Sequence, residues 1–325
     1  MPEGHSVHRI ARQFARHFVG KQTAVSSPQG RFAEGATLLD GHTMIDACAV
    51  GKQMFLEFDN HLWLRVHLGL YGAWDFAGDF TADASLTSAR GRPGQTAERG
   101  TILDQDAAED SLSSIGAPRR RRLRMSEQEE LRDTEFSFPA APVGAVRVRL
   151  LTRDTVADLR GPTACEVQTP EQVDASVAKL GPDPLVDDQA LGEERFVSVI
   201  RKKPTPIGLL LMDQSVVSGI GNVYRAELLF RARLNPHTPG KLVPEEALRA
   251  LWRDWCSLLA IGVRTGQMLT MDGLTPAAHR KALSHRKDRH WAYHRAGLPC
   301  RVCGTNIVLE ELGGRKLYWC PIDQA

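Results

Sequence analysis

No apolar run in this chain is long enough to cross a bilayer. The N-terminal stretch also lacks the apolar core of a secretory leader. Together these exclude a helical membrane protein and predict a cytosolic one. Cysteine is scarce, with six in 325 residues, too few for a disulfide scaffold. Cys48, Cys165 and Cys256 are scattered and read as buried free thiols. No internal repeat is present, and no motif calls for a redox or nucleotide cofactor. Net charge is only +2, so bulk charge excludes little.

What is present has a globular profile, 42% hydrophobic and 25% charged, with length enough for two ordinary domains. Charge is unevenly distributed. From Gln189 onward there are 20 Lys and Arg against 12 Asp and Glu, a surplus of eight; the preceding part holds 21 against 27, a deficit of six. The second part is therefore the better candidate for a polyanion contact, although two ordinary solvated surfaces would give the same totals.

Val7, Ile10, Ala11, Phe14 and Phe18 fall at helical spacing, predicting an amphipathic helix over 5–18. Residues 54–58 and 62–66 alternate around Asp59-Asn60 and predict a β-hairpin. Val146, Val148 and Leu150 predict another strand. Between these, about 82–143, the chain is rich in small and charged residues and includes Arg119-Arg120-Arg121-Arg122. Much of that stretch reads as a mobile insertion, whose basic run either touches DNA or, the simpler reading, lies solvated. The turn-rich Leu180-Gly181-Pro182-Asp183-Pro184-Leu185 marks a boundary. Beyond it helices are expected over 189–200, 206–213, 222–233 and 244–263, followed by a terminal hairpin.

Three features carry chemistry. The chain begins Met1-Pro2-Glu3-Gly4; removal of Met1 would leave Pro2 with a secondary α-amine, partly neutral near pH 8 and able to attack an aldehyde-like carbon. Glu3 is a neighbouring acid/base group. Gly219-Ile220-Gly221 leads into a helix opening at Asn222, where backbone N–H groups and a positive dipole end suit a phosphate; Asn is equally a preferred helix cap. Cys300 and Cys303, with Cys320 further on, have the spacing of a zinc hairpin.

In order along the chain, Pro2-Glu3-Gly4, Gly51-Lys52, His67-Leu68-Gly69-Leu70-Tyr71-Gly72, Leu180 to Pro184, Asp213-Gln214 through Glu227 and Cys300 through Gln324 resemble the formamidopyrimidine-DNA glycosylase/endonuclease VIII family. The resemblance covers nearly everything but the insertion. It implies an α+β multidomain fold: an N-terminal β-sandwich catalytic domain with flanking helices over 1–180, a helical helix–two-turn–helix DNA-binding domain over 186–285, and a C-terminal zinc-finger β-hairpin over 290–325.

The same resemblance implies a bifunctional DNA glycosylase and abasic-site lyase of base-excision repair. Pro2 would form a Schiff base and nicking would follow by β,δ-elimination. Pro2, Glu3, Lys52 and Arg315 would be catalytic; His67, Leu70, Tyr71, Asn222 and Arg315 would contact DNA. Structural zinc would sit on Cys300, Cys303 and Cys320. Where the family carries a fourth cysteine this chain has Asp323, so either a carboxylate completes the site or the site is weakened or holds no metal. Leu70-Tyr71 and Gly208 resemble the endonuclease VIII branch and favour oxidised pyrimidines; Gly69 departs from that branch's glutamine. Expected partners are damaged double- or single-stranded DNA and abasic sites, the protein being a cytoplasmic, nucleoid-associated monomer. Rival readings are an oxidised-purine glycosylase and a non-catalytic DNA-damage binder.

Overall fold

A computed structural model describes residues 2–79, 114–116 and 138–325. They divide into two compact units. Pro2 belongs with residues 6–176, and Glu3–His5 belong with Val177–Ala325.

The first unit is a β-sandwich. One sheet runs β1 (Ala24–Ser26), β7 (Val146–Leu151), β8 (Thr155–Arg160), β5 (Ala73–Gly78), β6 (Ser114–Gly116); the other runs β2 (Met44–Val50), β3 (Gln53–Phe58), β4 (Trp63–His67), β9 (Ala164–Gln168). All described pairings are antiparallel. Alternation puts Met54, Leu56 and Phe58, then Leu64 and Val66, on one face, and they share a core with Trp74, Phe76, Val148, Leu150 and Leu159 of the other sheet. Helix α1 (Gly4–His17) adds Val7, Ile10 and Phe14, with Phe18 just beyond it, and α2 (Ala33–Leu39) adds Ala36 and Leu39. Several polar residues of α1 are buried too, Arg9 and Gln13 at 1% exposure each, while Arg12 and Arg16 stay exposed; an amphipathic pattern does not anticipate the buried ones. α3 (Pro170–Val177) ends this unit.

Within the stretch read as an insertion, Ser114–Gly116 forms an edge strand on β5, and Ile115 is wholly buried in the sandwich core. A single buried isoleucine in polar sequence gives no periodic signal, so the strand is not legible there. Arg119–Arg122 lie outside the described residues.

The second unit is helical. α4 (Gln189–Ile200) is capped by Asp188, whose side chain accepts from the Ala190 and Leu191 amides. α5 (Ile207–Leu210), a two-turn connection and α6 (Asn222–Arg231) form the helix–two-turn–helix. Gln214 clamps the connection: its amide donates to the Met212 and Ile220 carbonyls and its oxygen accepts from Gly219 N. α7 (Glu245–Thr265) stops at Gly266, left-handed at φ 69°. α8 (Pro276–Ser284) follows, capped by Thr275. β10 (Val308–Leu312) and β11 (Arg315–Trp319) form the terminal hairpin, whose Tyr318 packs with Ala226 and Phe230 of α6. No described helix is long and apolar enough to cross a membrane.

Candidate active site and metal centre

The turn before α6 is built around a carboxylate. Gly221, the N-cap, has no side chain to cap the helix, and the first turn holds no acidic residue. Glu3, wholly buried, fills that role from the other end of the sequence. Gly221 N donates to Oε2 at 2.9 Å, Val223 N to Oε1 at 2.8 Å and Tyr224 N to Oε2 at 3.3 Å. Gly4 N donates to the Gly219 carbonyl at 2.9 Å. These contacts explain the glycines. Gly219 sits at φ 90°; a Cβ on Gly221 would fall 2.4 Å from Glu3 Cδ, and one on Gly4 would fall 2.8 Å from Gly219 Cα.

The helix N-terminus that could have faced a phosphate thus faces Glu3. An N-terminus does not distinguish one anion from another, and no local pattern marks a carboxylate over 200 residues away as its partner.

Asn222, the residue expected at a phosphate, is 7% exposed. Its amide donates to the Lys316 carbonyl at 2.8 Å, and its oxygen accepts from Arg225 Nη2 at 2.6 Å. Arg225, 0% exposed, also donates to the Lys316, Leu312 and Gly208 carbonyls. One asparagine and one arginine therefore lock α6 to the hairpin that carries Arg315. Burial draws the Arg225 guanidinium down to about 10; Glu3 opposes that shift and Arg315 adds to it. Arg315 itself is exposed, at the start of β11 after the Gly313-Gly314 turn.

Another buried charge on α6, Glu227, accepts the backbone N–H of Trp291, Ala292 and Tyr293 at 2.7–2.9 Å, and the Thr270 hydroxyl. Arg225 and Glu227 were missed as functional residues. The available signal was two charges, Arg225 and Glu227, set among the apolar Val223, Tyr224, Ala226, Leu228, Leu229 and Phe230 in the middle of the helix.

In the first unit, Lys52 lies in the tight turn between β2 and β3, and His67 closes β4 with Gln53 as its cross-strand neighbour. Burial, then the Lys52 and Arg65 charges, hold the His67 imidazole below its usual value. Leu70 and Tyr71 stand out at 39% and 77% exposure. Gly69 beneath them has φ 64°, and a Cβ there would meet Thr163 Oγ1 at 1.8 Å, so this loop conformation has no room for a glutamine. Gly208 is similarly enclosed: a Cβ would lie 2.9 Å from Leu312 Cδ2 and 3.0 Å from the Pro236 carbonyl.

Cys300, Cys303, Cys320 and Asp323 bring four donor atoms within 4.8 Å of one another. Cys300 Sγ lies 2.9 Å from Asp323 Oδ2, and Cys303 Sγ lies 3.4 Å from Cys320 Sγ. Bonds of about 2.0–2.3 Å to a central ion make tetrahedral edges of about 3.3–3.8 Å, so the four residues, Asp323 included, fit structural zinc. Gln324, wholly buried, steadies the last turn: it accepts from Cys320 N at 2.9 Å and donates to the Leu234 carbonyl at 3.0 Å. Cys48, Cys165 and Cys256 are free but half-buried rather than buried; that partial burial still pushes Cys48 and Cys256 up to about 11 and Cys165 up to about 12, away from thiolate reactivity.

Residues 1–132, 180–272 and 297–325 match, in turn, the formamidopyrimidine-DNA glycosylase N-terminal domain, the formamidopyrimidine-DNA glycosylase H2TH domain, and the zinc finger found in FPG and IleRS. The chain is 38% identical over its whole length, and theirs, to proteins named Endonuclease 8 1 in Mycobacterium bovis and Mycobacterium tuberculosis. It is 34% identical to a Thermus thermophilus formamidopyrimidine-DNA glycosylase over 45% of this chain and 54% of that protein. Among solved structures, a Lactococcus lactis FPG mutant in complex with Fapy-dG-containing DNA superposes with a TM-score of 0.69 at 18% identity over 99% of both chains.

Proposed function

Because the chain belongs to the formamidopyrimidine-DNA glycosylase/endonuclease VIII family, we infer its chemistry from the residues that frame its N-terminus. It is a DNA glycosylase and abasic-site lyase of base-excision repair. Its full-length likeness to endonuclease 8 proteins favours that branch.

We propose that Pro2, freed by loss of Met1, is the nucleophile. A damaged nucleotide is rotated out of the stack, the Pro2 nitrogen attacks the anomeric carbon, and the base departs. Glu3 assists ring opening and proton transfer. The resulting iminium acidifies the adjacent C–H, so the 3′ phosphate and then the 5′ phosphate can be eliminated. Lys52 supplies a compact positive charge and a transferable proton near the scissile phosphate, His67 and Arg315 hold phosphates, and Arg315 serves the second elimination. Asn222 acts by fixing the hairpin that presents Arg315, with any phosphate contact secondary. Zinc, when bound, closes the terminal hairpin and does no bond chemistry.

The observation that carries this reading is the clamp on Glu3. Three backbone donors fix the residue that follows Pro2, so the nucleophilic nitrogen is anchored one residue from a buried carboxylate. A free chain end would dissipate the advantage of a positioned nucleophile. Oxidised pyrimidines are the proposed substrates: Leu70-Tyr71 and the enclosed Gly208 match the endonuclease VIII branch. Excision from duplexes bearing an oxidised pyrimidine or an oxidised purine would separate the two lesion classes. The proposed working site is the nucleoid.

Borohydride trapping on abasic DNA tests the nucleophile. Pro2→Gly is expected to reduce the covalent complex at least tenfold while thermal melting stays as in the parent protein. Undiminished trapping moves the nucleophile elsewhere, with Lys52 the next candidate; no trapping by the parent protein points to a non-catalytic binder.

A further inference from the structure

The basic surplus of the second unit is concentrated in one stretch. Residues 276–303 hold seven Lys and Arg against Asp288 alone, a surplus of six, while the rest of the chain is four negative. The assigned Glu3, Asn222 and Arg315 all lie outside that stretch.

Its structure separates mounting residues from presenting ones. Among its described side chains α8 buries only Ala282 completely; His279, Arg280 and Lys281 are exposed, as are His285 and Lys287 beyond it. A helix with so little apolar face to bury gains little from packing. It is held instead by Arg289, 3% exposed, which donates to the Ala282 and Leu283 carbonyls at the end of α8 while its own carbonyl accepts from Thr270 N and Met271 N. The zinc knuckle joins the same patch: exposed Arg301, between Cys300 and Cys303, donates to the Lys287 carbonyl at 3.0 Å. Lys281 is partly offset by Asp288 at 3.4 Å. Gathering like charge on a rigid mount costs self-repulsion, which a polyanion would relieve.

We propose that α8, the turn at Lys287 and the Arg301 knuckle form an accessory surface for the DNA sugar–phosphate backbone, independent of sequence and of damage. It rests on the reading of this chain as a DNA-repair enzyme and extends its contact with DNA beyond the residues assigned to chemistry. Exposed Lys and Arg side chains supply charge to phosphates, contacts that fix position and carry no sequence information. The surface therefore raises affinity for damaged and undamaged duplex alike and assists search along DNA.

The test is the salt dependence of binding. Anisotropy titrations of full-length protein use an undamaged duplex and the same duplex carrying a tetrahydrofuran abasic analogue, for the parent protein and for Arg280→Gln/Lys287→Gln. Each phosphate contact contributes about 0.9 to the slope of log K against log salt, so the double variant should flatten it by about 2 on both duplexes and bind several-fold more weakly near physiological salt. Borohydride trapping at saturating protein should keep the parent yield. Slope and affinity equal to the parent's overturn the proposal, as does a loss confined to the abasic duplex. If the double variant melts early, Arg280→Gln and Lys287→Gln are titrated singly, each expected to flatten the slope by about 1. A parent protein that neither binds nor traps abasic DNA would instead overturn the functional reading; a parent that does both, matched by its variants, overturns the accessory surface alone.

Discussion

The Val223 amide donates to Glu3 Oε1 at 2.8 Å across 220 residues of sequence. With the Gly221 and Tyr224 amides it makes Glu3 the N-terminal cap of α6. Glu3→Gln keeps the size but turns one oxygen into an NH2 facing backbone donors. Losing charge-assisted bonds in a buried site costs about 2 kcal/mol, or roughly 4–8 °C in melting for a unit of this size. Abasic-site cleavage at single turnover should fall further than melting alone explains. A melting temperature equal to the parent's would show that the cap contributes nothing.

Leu70 and Tyr71 bury little, so truncating both should leave stability within about 0.5 kcal/mol. Their proposed work is to fill the gap left by an extruded base. Stacking on an aromatic is worth about 1–3 kcal/mol per base, so Leu70→Ala/Tyr71→Ala should lower excision from duplex DNA about tenfold and spare cleavage of an abasic site in a single strand. Equal losses on both substrates would remove the wedge from the account.

Much of the fold was legible because its elements carry their own periodicity. α1, the β3–β4 hairpin, β7, α4, α6 and α7 follow apolar spacing and lie within a residue or two of where the pattern puts them. α8 has no such pattern, since among its described side chains only Ala282 is buried outright, so apolar spacing does not reveal it. β6 rests on Ile115 alone. The site was legible as residue types in family order, while its wiring was not. That Glu3 caps α6, that Arg225 ties α6 to the hairpin and that Glu227 gathers the Trp291–Tyr293 amides are choices of partner over long separations. Burial decides them, and although apolar neighbours hint that Arg225 and Glu227 are buried, they do not say which distant group each one meets.

His67 offers a pH signature. Burial and the Lys52 and Arg65 charges depress its folded value, so below about pH 6.5 the unfolded chain binds the proton that the folded protein resists. Stability should therefore be level above that pH and decline as pH falls through the folded value, with a slope from this group of at most about 1.4 kcal/mol per pH unit. His67→Gln removes the titration. The difference in unfolding free energy between parent and variant, measured from pH 8 to 5.5, should shift against the parent on the acid side. A difference independent of pH would show that His67 is not depressed.

Asp323 sets the terms of the metal centre. Three sulfurs and one carboxylate oxygen converge there, and oxygen is the harder, weaker zinc donor beside thiolates. One zinc per chain is expected by elemental analysis, held less tightly than by four cysteines. Asp323→Cys should slow metal loss to a chelator, and Asp323→Ala should speed it by about tenfold or more. Because Cys300 and Cys320 share a small core with Phe230 and Tyr318, and structural zinc contributes directly to the folding of so short a hairpin, chelation should loosen β10–β11 first. Asn222 and Arg225 grip that hairpin through the Lys316 carbonyl, next to Arg315, so DNA affinity should fall before the sandwich melts. Protein that contains no zinc as purified and still nicks abasic DNA at the normal rate would mean that packing and the Gln324 bonds alone hold Arg315 in place.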